Sequence, residues 1–216
     1  MDSIIQGIAI YALPVIFAIT LHEAAHGYVA KHYGDLTAYA QGRVTLNPLR
    51  HIDPLGTIIV PLLLMAVGSH YIFGWAKPVP VNFANLRRPK RDMLWVAAAG
   101  PGANLLMAFL WALVIKLSLA MPESDLAEPM ILMGKAGILI NAILLVLNLL
   151  PLPPLDGGRI AVSLLPRRIA YRFSQIEPYG FIILLILLFT GVLGAVIGPF
   201  IIITIRMVTW FVGLQV

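Results

Sequence analysis

Long apolar runs, separated by short polar segments, make up most of the chain. Three of these runs are continuous enough to predict helices, over about residues 3–33, 89–119 and 129–150. About 20 residues of α-helix cross the hydrocarbon core of a bilayer, and each run reaches that length. The pattern of hydrophobic positions therefore predicts transmembrane helices.

Two shorter apolar runs end the chain, over about residues 179–196 and 199–212, and they predict either two spanning helices or one spanning and one interfacial helix. The run over residues 55–67 is different, because a helix of this length extends only some 20 Å at about 1.5 Å per residue. We expect this run to be re-entrant, which is tolerated where protein or a water-filled cavity covers the backbone.

Glycine, proline and alternating side chains in residues 34–54 and 73–82 predict loops with short β-strands. The second segment is typical of an edge strand, because its prolines cannot donate hydrogen bonds to a ladder. The predicted fold class is an all-α polytopic membrane protein with about five to six transmembrane helices, one re-entrant segment and short membrane-associated β-strands.

The composition supports a membrane location. Hydrophobic residues make up 60% of the 216 residues and charged residues 12%, whereas soluble domains carry about 25% charged residues. We expect a single membrane-embedded domain over residues 1–216, with no cleavable signal peptide. The net charge of +5 comes from short basic loops suited to lipid headgroups, so nucleic acid is not an expected partner. The chain has no cysteine, which excludes disulfides and a thiol nucleophile.

A titratable motif interrupts the first apolar run. His22 and His26 are four residues apart and therefore lie on one face of a helix, where two imidazoles can bind one metal ion. Glu23 lies beside them, where a carboxylate can accept a proton from a water molecule that the metal activates. Ionisable groups inside hydrocarbon cost several kcal/mol, so these residues indicate a functional site rather than solvated histidines at a helix end.

A catalytic zinc ion binds three protein ligands and keeps one position open, so a third ligand is needed. In a chain without cysteine this ligand must be Asp, Glu or another His. The candidate is Asp156, which follows an apolar helix and precedes two glycines that allow a sharp turn.

The distribution of basic residues tests this choice. Lys and Arg number three in residues 31–53, five in 68–93, one in 116–128 and four in 151–180. The positive-inside rule predicts that the three basic segments are cytoplasmic and that the acidic segment is external. Asp156 then lies on the same side of the membrane as the two histidines, provided that residues 55–67 do not cross.

Three stretches resemble the site-2 protease family of intramembrane zinc metalloproteases, in its compact form without a PDZ domain. They are the HExxH motif at residues 22–26, Gly100-Pro101 with Asn104, and residues 148–157, which are similar to the family's N-x-x-P-x(3)-L-D-G motif. The resemblance extends from about residue 21 to residue 159. Gly100 and Asn104 are expected to serve close helix packing rather than substrate binding.

The resemblance implies that His22, His26 and Asp156 ligate one zinc ion per chain and that Glu23 is the general base. It also implies a membrane-associated β element between the first two core helices. The implied function is regulated intramembrane proteolysis, in which a peptide bond in or near a transmembrane segment of a protein or peptide substrate is hydrolysed. We expect an integral protein of a bacterial or archaeal cell membrane, with the active site toward the cytoplasmic side.

Four further residues are candidates for substrate binding. The segment around Trp75, Val79 and Val81 could pair with an extended substrate by β-augmentation, and a plain structural hairpin is the alternative. Asn148 could hydrogen-bond the substrate backbone or the oxyanion, or it could instead cap the broken backbone that follows it.

Two other functions remain as alternatives. A non-catalytic membrane zinc carrier would need polar residues along a path through the helices, but the later helices are nearly all Ile, Leu and Val. A membrane zinc protease of the prenyl-protein type would need a third ligand from a helical Glu. The remaining candidates, Glu123, Glu128 and Glu177, are expected in proline-flanked loops. The presence of Glu23, which is not itself a ligand, favours hydrolysis over transport.

Overall fold

The computed structural model describes residues 2–66 and 74–214. Within these residues the chain forms nine α-helices: α1 (Asp2–His32), α2 (Thr37–Ala40), α3 (Val60–Ala66), α4 (Pro89–Leu119), α5 (Ala127–Asn148), α6 (Asp156–Leu164), α7 (Arg167–Ser174), α8 (Glu177–Phe189) and α9 (Val192–Val212). No β-strand occurs in the described residues, so the predicted strands are not confirmed. The helical class of the prediction is confirmed.

Four of the described helices are long and apolar enough to cross a membrane, namely α1, α4, α5 and α9. The helices α7 and α8 meet at a bend of 62°, and they add a fifth candidate if the pair is one span. The described residues therefore contain four candidate spans, or five if α7 and α8 form one. Five is the lower end of the predicted five to six.

Helix α4 is the centre of the bundle and packs against α1, α5, α6 and α9. It is antiparallel to α1, since His26 near the end of α1 contacts Val96 near the start of α4. It is also antiparallel to α5, where a Cβ atom on Gly134 or Gly137 would overlap the side chains of Ile115 and Trp111. Glycines at these positions therefore allow α5 to approach α4 closely.

Helix α9 runs in the same direction as α4. Its final turn lies beside the end of α4, where Lys116 Nζ donates a hydrogen bond to the carbonyl of Val212 at 2.7 Å. Its first turns pack against the end of α5, where Leu193 and Ile197 share a buried apolar cluster with Val146. We call the end of the bundle that carries residues 120–126 the loop end, and the opposite end, where α1 and α5 terminate, the site end.

The segment before α3 begins with a π-helical turn over Pro54–Ile59. The chain returns to this turn, because the Trp75 amide donates to the Gly56 carbonyl at 3.1 Å and the Thr57 hydroxyl donates to the Trp75 carbonyl at 2.8 Å. The start of the apolar run and Trp75 therefore lie together. Val67, the predicted end of that run, lies outside the described residues.

Residues 74–82 are irregular, and their hydrogen bonds go to loops and side chains instead of to a neighbouring strand. The Lys77 amide donates to the His51 carbonyl at 2.9 Å, and the Arg43 guanidinium donates to the Lys77 carbonyl at 2.8 Å. The Asn82 amide donates to Asp35 Oδ2 at 2.7 Å. Phe73, the predicted start of the edge strand, lies outside the described residues.

Candidate active site

His22, His26 and Asp156 form a compact, buried cluster between α1 and the start of α6. Asp156 Oδ2 lies 3.2 Å from His22 Nε2 and 3.3 Å from His26 Nε2. The two Nε2 atoms are 3.1 Å apart. The structure thus brings together the three residues that the sequence nominated as metal ligands.

The turn between α5 and α6 delivers Asp156 to the histidines. Prolines at 151, 153 and 154 keep the chain after α5 from continuing as regular helix. The chain then folds so tightly that a Cβ atom on Gly157 would overlap the carbonyls of Leu149 and Leu150. Glycine at 157 is therefore needed for α6 to begin with its first carboxylate facing α1.

The hydrogen bonds of the two rings identify which nitrogens are free. His26 Nδ1 lies 2.7 Å from the Val96 carbonyl, and His22 Nδ1 lies 2.6 Å from Asn104 Oδ1. Because a carbonyl oxygen can only accept, each neutral ring carries its proton on Nδ1 and presents a lone pair at Nε2. Asp156 Oδ2, facing them, is buried and has no hydrogen-bond donor. Three acceptor atoms therefore converge on one point, which is the donor set that a divalent metal ion satisfies.

Matching stripes of residues on α1 and α4 build this geometry. Each stripe is spaced by four residues, which places its members on one helix face. The stripe on α4 is Val96, Gly100 and Asn104, and the stripe on α1 is Ala18, His22 and His26. Since the helices are antiparallel, the two stripes face each other residue by residue.

Gly100 and Asn104 have closer contacts with the site than the predicted packing role requires. A Cβ atom on Gly100 would lie 2.6 Å from His22 Nε2 and would overlap His26 Nε2. Asn104 is fully buried and accepts the His22 hydrogen bond. Their spacing of four residues, equal to that of the histidines, was the signal in the sequence that could have indicated these contacts.

Glu23 lies next to the cluster and is held by the irregular segment. Its Oε2 atom accepts a hydrogen bond from the Val79 amide at 2.7 Å. The side chain lines the same cavity as the two histidines and Asp156, and it is only partly buried. One carboxylate oxygen is thus engaged by the backbone, which fixes the orientation of the group.

A cavity of about 940 Å³ opens beside these residues. Its walls come from α1, α5, α8 and the segment around Trp75, and most of its lining side chains are Val, Ile, Leu, Phe and Pro. All four predicted substrate-binding residues line it, namely Trp75, Val79, Val81 and Asn148. The Asn148 amide donates to the Leu144 carbonyl at 3.0 Å, and its oxygen and second amide hydrogen have no partner among the residues that the structure describes.

The acidic residues considered as alternative ligands lie elsewhere. Glu128 and Glu177 belong to the first turns of α5 and α8 rather than to loops, so that expectation was wrong for both. Neither residue belongs to the cluster of described residues that could hold a metal ion. Instead, Glu177 Oε1 lies 4.0 Å from the Arg159 guanidinium, at Nη2.

The comparisons with known proteins agree on one family. The profile of Peptidase family M50 matches residues 119–190, a stretch that includes Asp156 but not the histidines. A Bacillus subtilis protein named Putative zinc metalloprotease YwhC is 40% identical over 190 residues, which cover 87% of this chain and 83% of that protein. A Mycolicibacterium smegmatis protein named Putative zinc metalloprotease Rip2 is 32% identical over 181 residues, covering 83% of this chain and 66% of the relative.

A more distant similarity reaches plants. A protein of Oryza sativa subsp. indica, named Probable zinc metalloprotease EGY2, chloroplastic, is 32% identical over 130 residues, which cover 44% of this chain and 23% of that protein. No solved structure matches the chain significantly. The identity with the Bacillus protein extends over most of both chains, and the chain therefore belongs to peptidase family M50, the site-2 protease family.

Proposed function

We propose that this protein is an intramembrane zinc endopeptidase in which His22, His26 and Asp156 hold one zinc ion and Glu23 is the general base. The family and the names of the relatives support zinc-dependent proteolysis. The observation that carries the residue assignment is the convergence of two Nε2 lone pairs and a carboxylate oxygen with no donor among them. A shared proton would satisfy one pair of these atoms, whereas one metal ion satisfies all three.

Bound zinc supplies a Lewis acid that polarises the scissile carbonyl and makes water a nucleophile near neutral pH. Glu23 accepts the proton of the attacking water on Oε1, the oxygen that Val79 leaves free, and then delivers it to the nitrogen of the departing amine. The Val79 amide keeps the carboxylate from rotating during both transfers. The burial of the cluster strengthens each of these electrostatic interactions, because water screens them less there.

The cavity supports a substrate with apolar side chains, as found in transmembrane segments. Its volume of about 940 Å³ is large enough for several side chains, and aliphatic residues of α1, α5 and α8 line it. A helical substrate hides its carbonyls in hydrogen bonds, so the scissile region must unwind before it can be cleaved. Asn148, which lines the cavity, is suited to bind the exposed backbone or the oxyanion.

The segment around Trp75, Val79 and Val81 is proposed to hold the unwound substrate by backbone pairing. Amides at 75, 77 and 79 already donate to the protein itself, and residues 78 and 80 are prolines. Pairing would therefore use mainly carbonyls of this segment as acceptors for substrate N–H groups. The membrane-associated β element of the family is proposed to form here when substrate binds.

The active site is proposed to face the cytoplasm, at the end of the bundle that carries the basic segments. The run after Pro54 is proposed to be re-entrant, which the hydrogen bonds from Trp75 and Thr57 support because they join the two ends of the excursion. The clustered arginines at the start of α4 and in α7 are suited to anionic lipid headgroups.

Metal content and cleavage, measured together, test the proposal. Wild type, Glu23→Gln, Asp156→Ala and the control Asp125→Ala, which changes an exposed acid of the loop end, would be purified in detergent. Zinc per chain would be measured, and each protein would be incubated with a panel of single-pass membrane segments. We expect about one zinc in wild type, Glu23→Gln and the control, and less in Asp156→Ala. The rate of cleavage by Glu23→Gln should fall by about 10²–10⁴-fold.

Each alternative outcome has a distinct meaning. Cleavage by Glu23→Gln at the wild-type rate would contradict the assignment of the base. Unchanged zinc in Asp156→Ala would contradict the third ligand. Full zinc without cleavage of any segment would favour the zinc carrier, and zinc transport into vesicles would then be measured.

A further inference from the structure

Two buried asparagines connect His22 to the backbone of α5. Asn104 Oδ1 lies 2.6 Å from His22 Nδ1, and the Asn104 amide donates to Asn141 Oδ1 at 3.0 Å. The Asn141 amide in turn donates to the Gly137 carbonyl at 2.8 Å. Both asparagines are 0% exposed, and both lie inside helices that are apolar enough to span a membrane.

Backbone carbonyls fix the direction of this chain of hydrogen bonds. The Asn104 amide also donates to the Ala18 carbonyl at 3.2 Å, so a reversed Asn104 would bring two oxygens together. A reversed Asn141 would do the same at Gly137. Since both amides are held in one orientation, Asn104 presents an acceptor to His22, and His22 must carry its proton on Nδ1.

We propose that Asn104 and Asn141 are positioning residues that hold His22 in the tautomer and orientation in which Nε2 binds the metal. This inference rests on the proposed function of the site. Asn104 accepts the proton of His22 Nδ1, and Asn141 keeps the Asn104 amide in place from the opposite side. The chain of bonds therefore extends the metal site from α1 through α4 to α5.

The two histidines differ in how they are held. His26 donates to the Val96 carbonyl, which belongs to the backbone and survives any side-chain replacement at 96. His22 depends on the side chain at 104, which a single substitution removes. An apolar residue at 104 would also leave His22 Nδ1–H buried without an acceptor, and this favours the other tautomer, in which Nε2 is protonated and cannot bind metal.

Zinc affinity and stability, measured on matched variants, test the proposal. Asn104→Leu removes the acceptor, and we expect it to weaken zinc binding by about 10–100-fold in a chelator competition. Asn104→Asp keeps an oxygen toward His22 but places its other oxygen against the Ala18 carbonyl and Asn141 Oδ1. We expect this variant to unfold at a lower temperature than wild type while it binds zinc more tightly than Asn104→Leu does.

Asn141→Leu removes only the neutral hydrogen bond between Asn141 and the Asn104 amide, so its effect on zinc affinity should be smaller. We expect zinc affinity to fall by about 2–10-fold, and we expect no further loss when Asn141→Leu is added to Asn104→Leu. Ser118→Ala is the control, since Ser118 is fully buried in α4 but donates within its own helix, to Val114, at the loop end. Its zinc affinity should equal that of wild type.

Cobalt-substituted protein provides a second measurement. The visible absorption of bound Co²⁺ should change in Asn104→Leu and stay unchanged in Ser118→Ala. Zinc affinity that simply follows thermal stability across all variants would overturn the proposal, as would wild-type affinity in Asn104→Leu. If Asn104→Leu does not fold, unchanged affinity in Asn141→Leu would overturn it instead. Wild type without zinc would contradict the proposed function itself, which the asparagine variants do not test.

Discussion

Gly100 is the residue of α4 at which an added Cβ atom would meet both histidine rings. Both rings are buried, and the Nδ1 atom of each is hydrogen-bonded to a fixed acceptor. Neither ring can therefore move away from α4 without losing that bond. A single methyl group at 100 would displace the nitrogen atoms that face Asp156.

Gly100→Ala should lower zinc affinity by more than about tenfold and reduce cleavage accordingly, because the added Cβ overlaps His26 Nε2. The control is Gly102→Ala, two residues further along the same helix, where a Cβ atom meets nothing within 4 Å. This control should bind zinc normally and gain up to about 1 kcal/mol of stability from helix propensity. Chelator competition measures both affinities, and equal values for the two variants would contradict the close approach of α4.

At the residue scale, local signals in the sequence indicated the members of the cluster that the structure brings together. The spacing of His22 and His26 follows from helix periodicity, and the glycines after Asp156 indicate a sharp turn. The hydrogen bond between Asn104 and His22 joins two residues that are 82 positions apart in sequence. Which face of α4 meets α1, and at what height, depends on packing across the whole bundle and cannot be taken from either helix alone.

Among the elements, the irregular segment over residues 74–82 is held at its C-terminal end by a hydrogen bond to Asp35. Asp35 accepts hydrogen bonds from the amide of Asn82, from the side chain of Asn85, and from the amide and hydroxyl of Thr37. Burial acts to raise the pKa of the Asp35 carboxyl, but these hydrogen bonds outweigh it and hold the pKa below its usual range. The charged carboxylate therefore stabilises the loop that carries Val79.

Asp35→Asn should destabilise the protein by about 1–3 kcal/mol at neutral pH, because an amide cannot accept all of these hydrogen bonds. A carboxyl whose pKa is lowered by folding stabilises the protein above its unfolded pKa of about 3.9 and loses that contribution as the pH falls through the folded pKa. The difference between wild type and Asp35→Asn should therefore shrink below about pH 4.

Thermal unfolding in detergent from pH 7 to pH 3 would measure this difference, and comparison at each pH cancels the contribution of every other titrating group. Asp125→Asn, which alters an exposed acid, should stay within about 0.5 kcal/mol of wild type throughout. A difference for Asp35→Asn that grows on acidification would show that the carboxylate does not stabilise the loop.

The elements also show where sequence patterns are insufficient. Helix bounds agree with the predictions within a few residues for α1, α4 and α5, because a continuous apolar run has clear ends. Alternation with prolines in residues 74–82 indicated an edge strand, but a strand requires a partner. The amides of this segment bond instead to Gly56 and His51, to Glu23 in α1 and to Asp35.

At the scale of the whole molecule, the directions of the four long helices determine how the chain crosses the membrane. Helices α1 and α5 run from the loop end to the site end, and α4 and α9 run back. Helix α8 begins near the site end, where Gly180 lies against Pro153, and α9 starts again beside the end of α5. We therefore expect four crossings, with α8 entering the membrane without crossing it.

Cysteine labelling tests these crossings cleanly, since the chain has no native cysteine. We expect a membrane-impermeant thiol reagent to label Ser124→Cys and Leu214→Cys from outside intact cells, and to label Gln175→Cys only after lysis. Protection of Leu214→Cys in intact cells would instead make α7 and α8 a fifth span. Labelling of Gln175→Cys from outside would reverse the expected orientation of the active site.

The cavity beside the proposed metal site suggests a design for inhibitors. Its polar groups include His22, Glu23 and Asp156, while aliphatic side chains form most of the remaining wall. A compound with a chelating head group and a branched hydrocarbon tail should place the head group at the polar residues and the tail against the aliphatic wall. Its free energy of binding should improve by about 0.8 kcal/mol for each methylene that it buries. Two compounds with the same head group and tails of different length would thus report, through the ratio of their inhibition constants, how much of the cavity takes part in recognition.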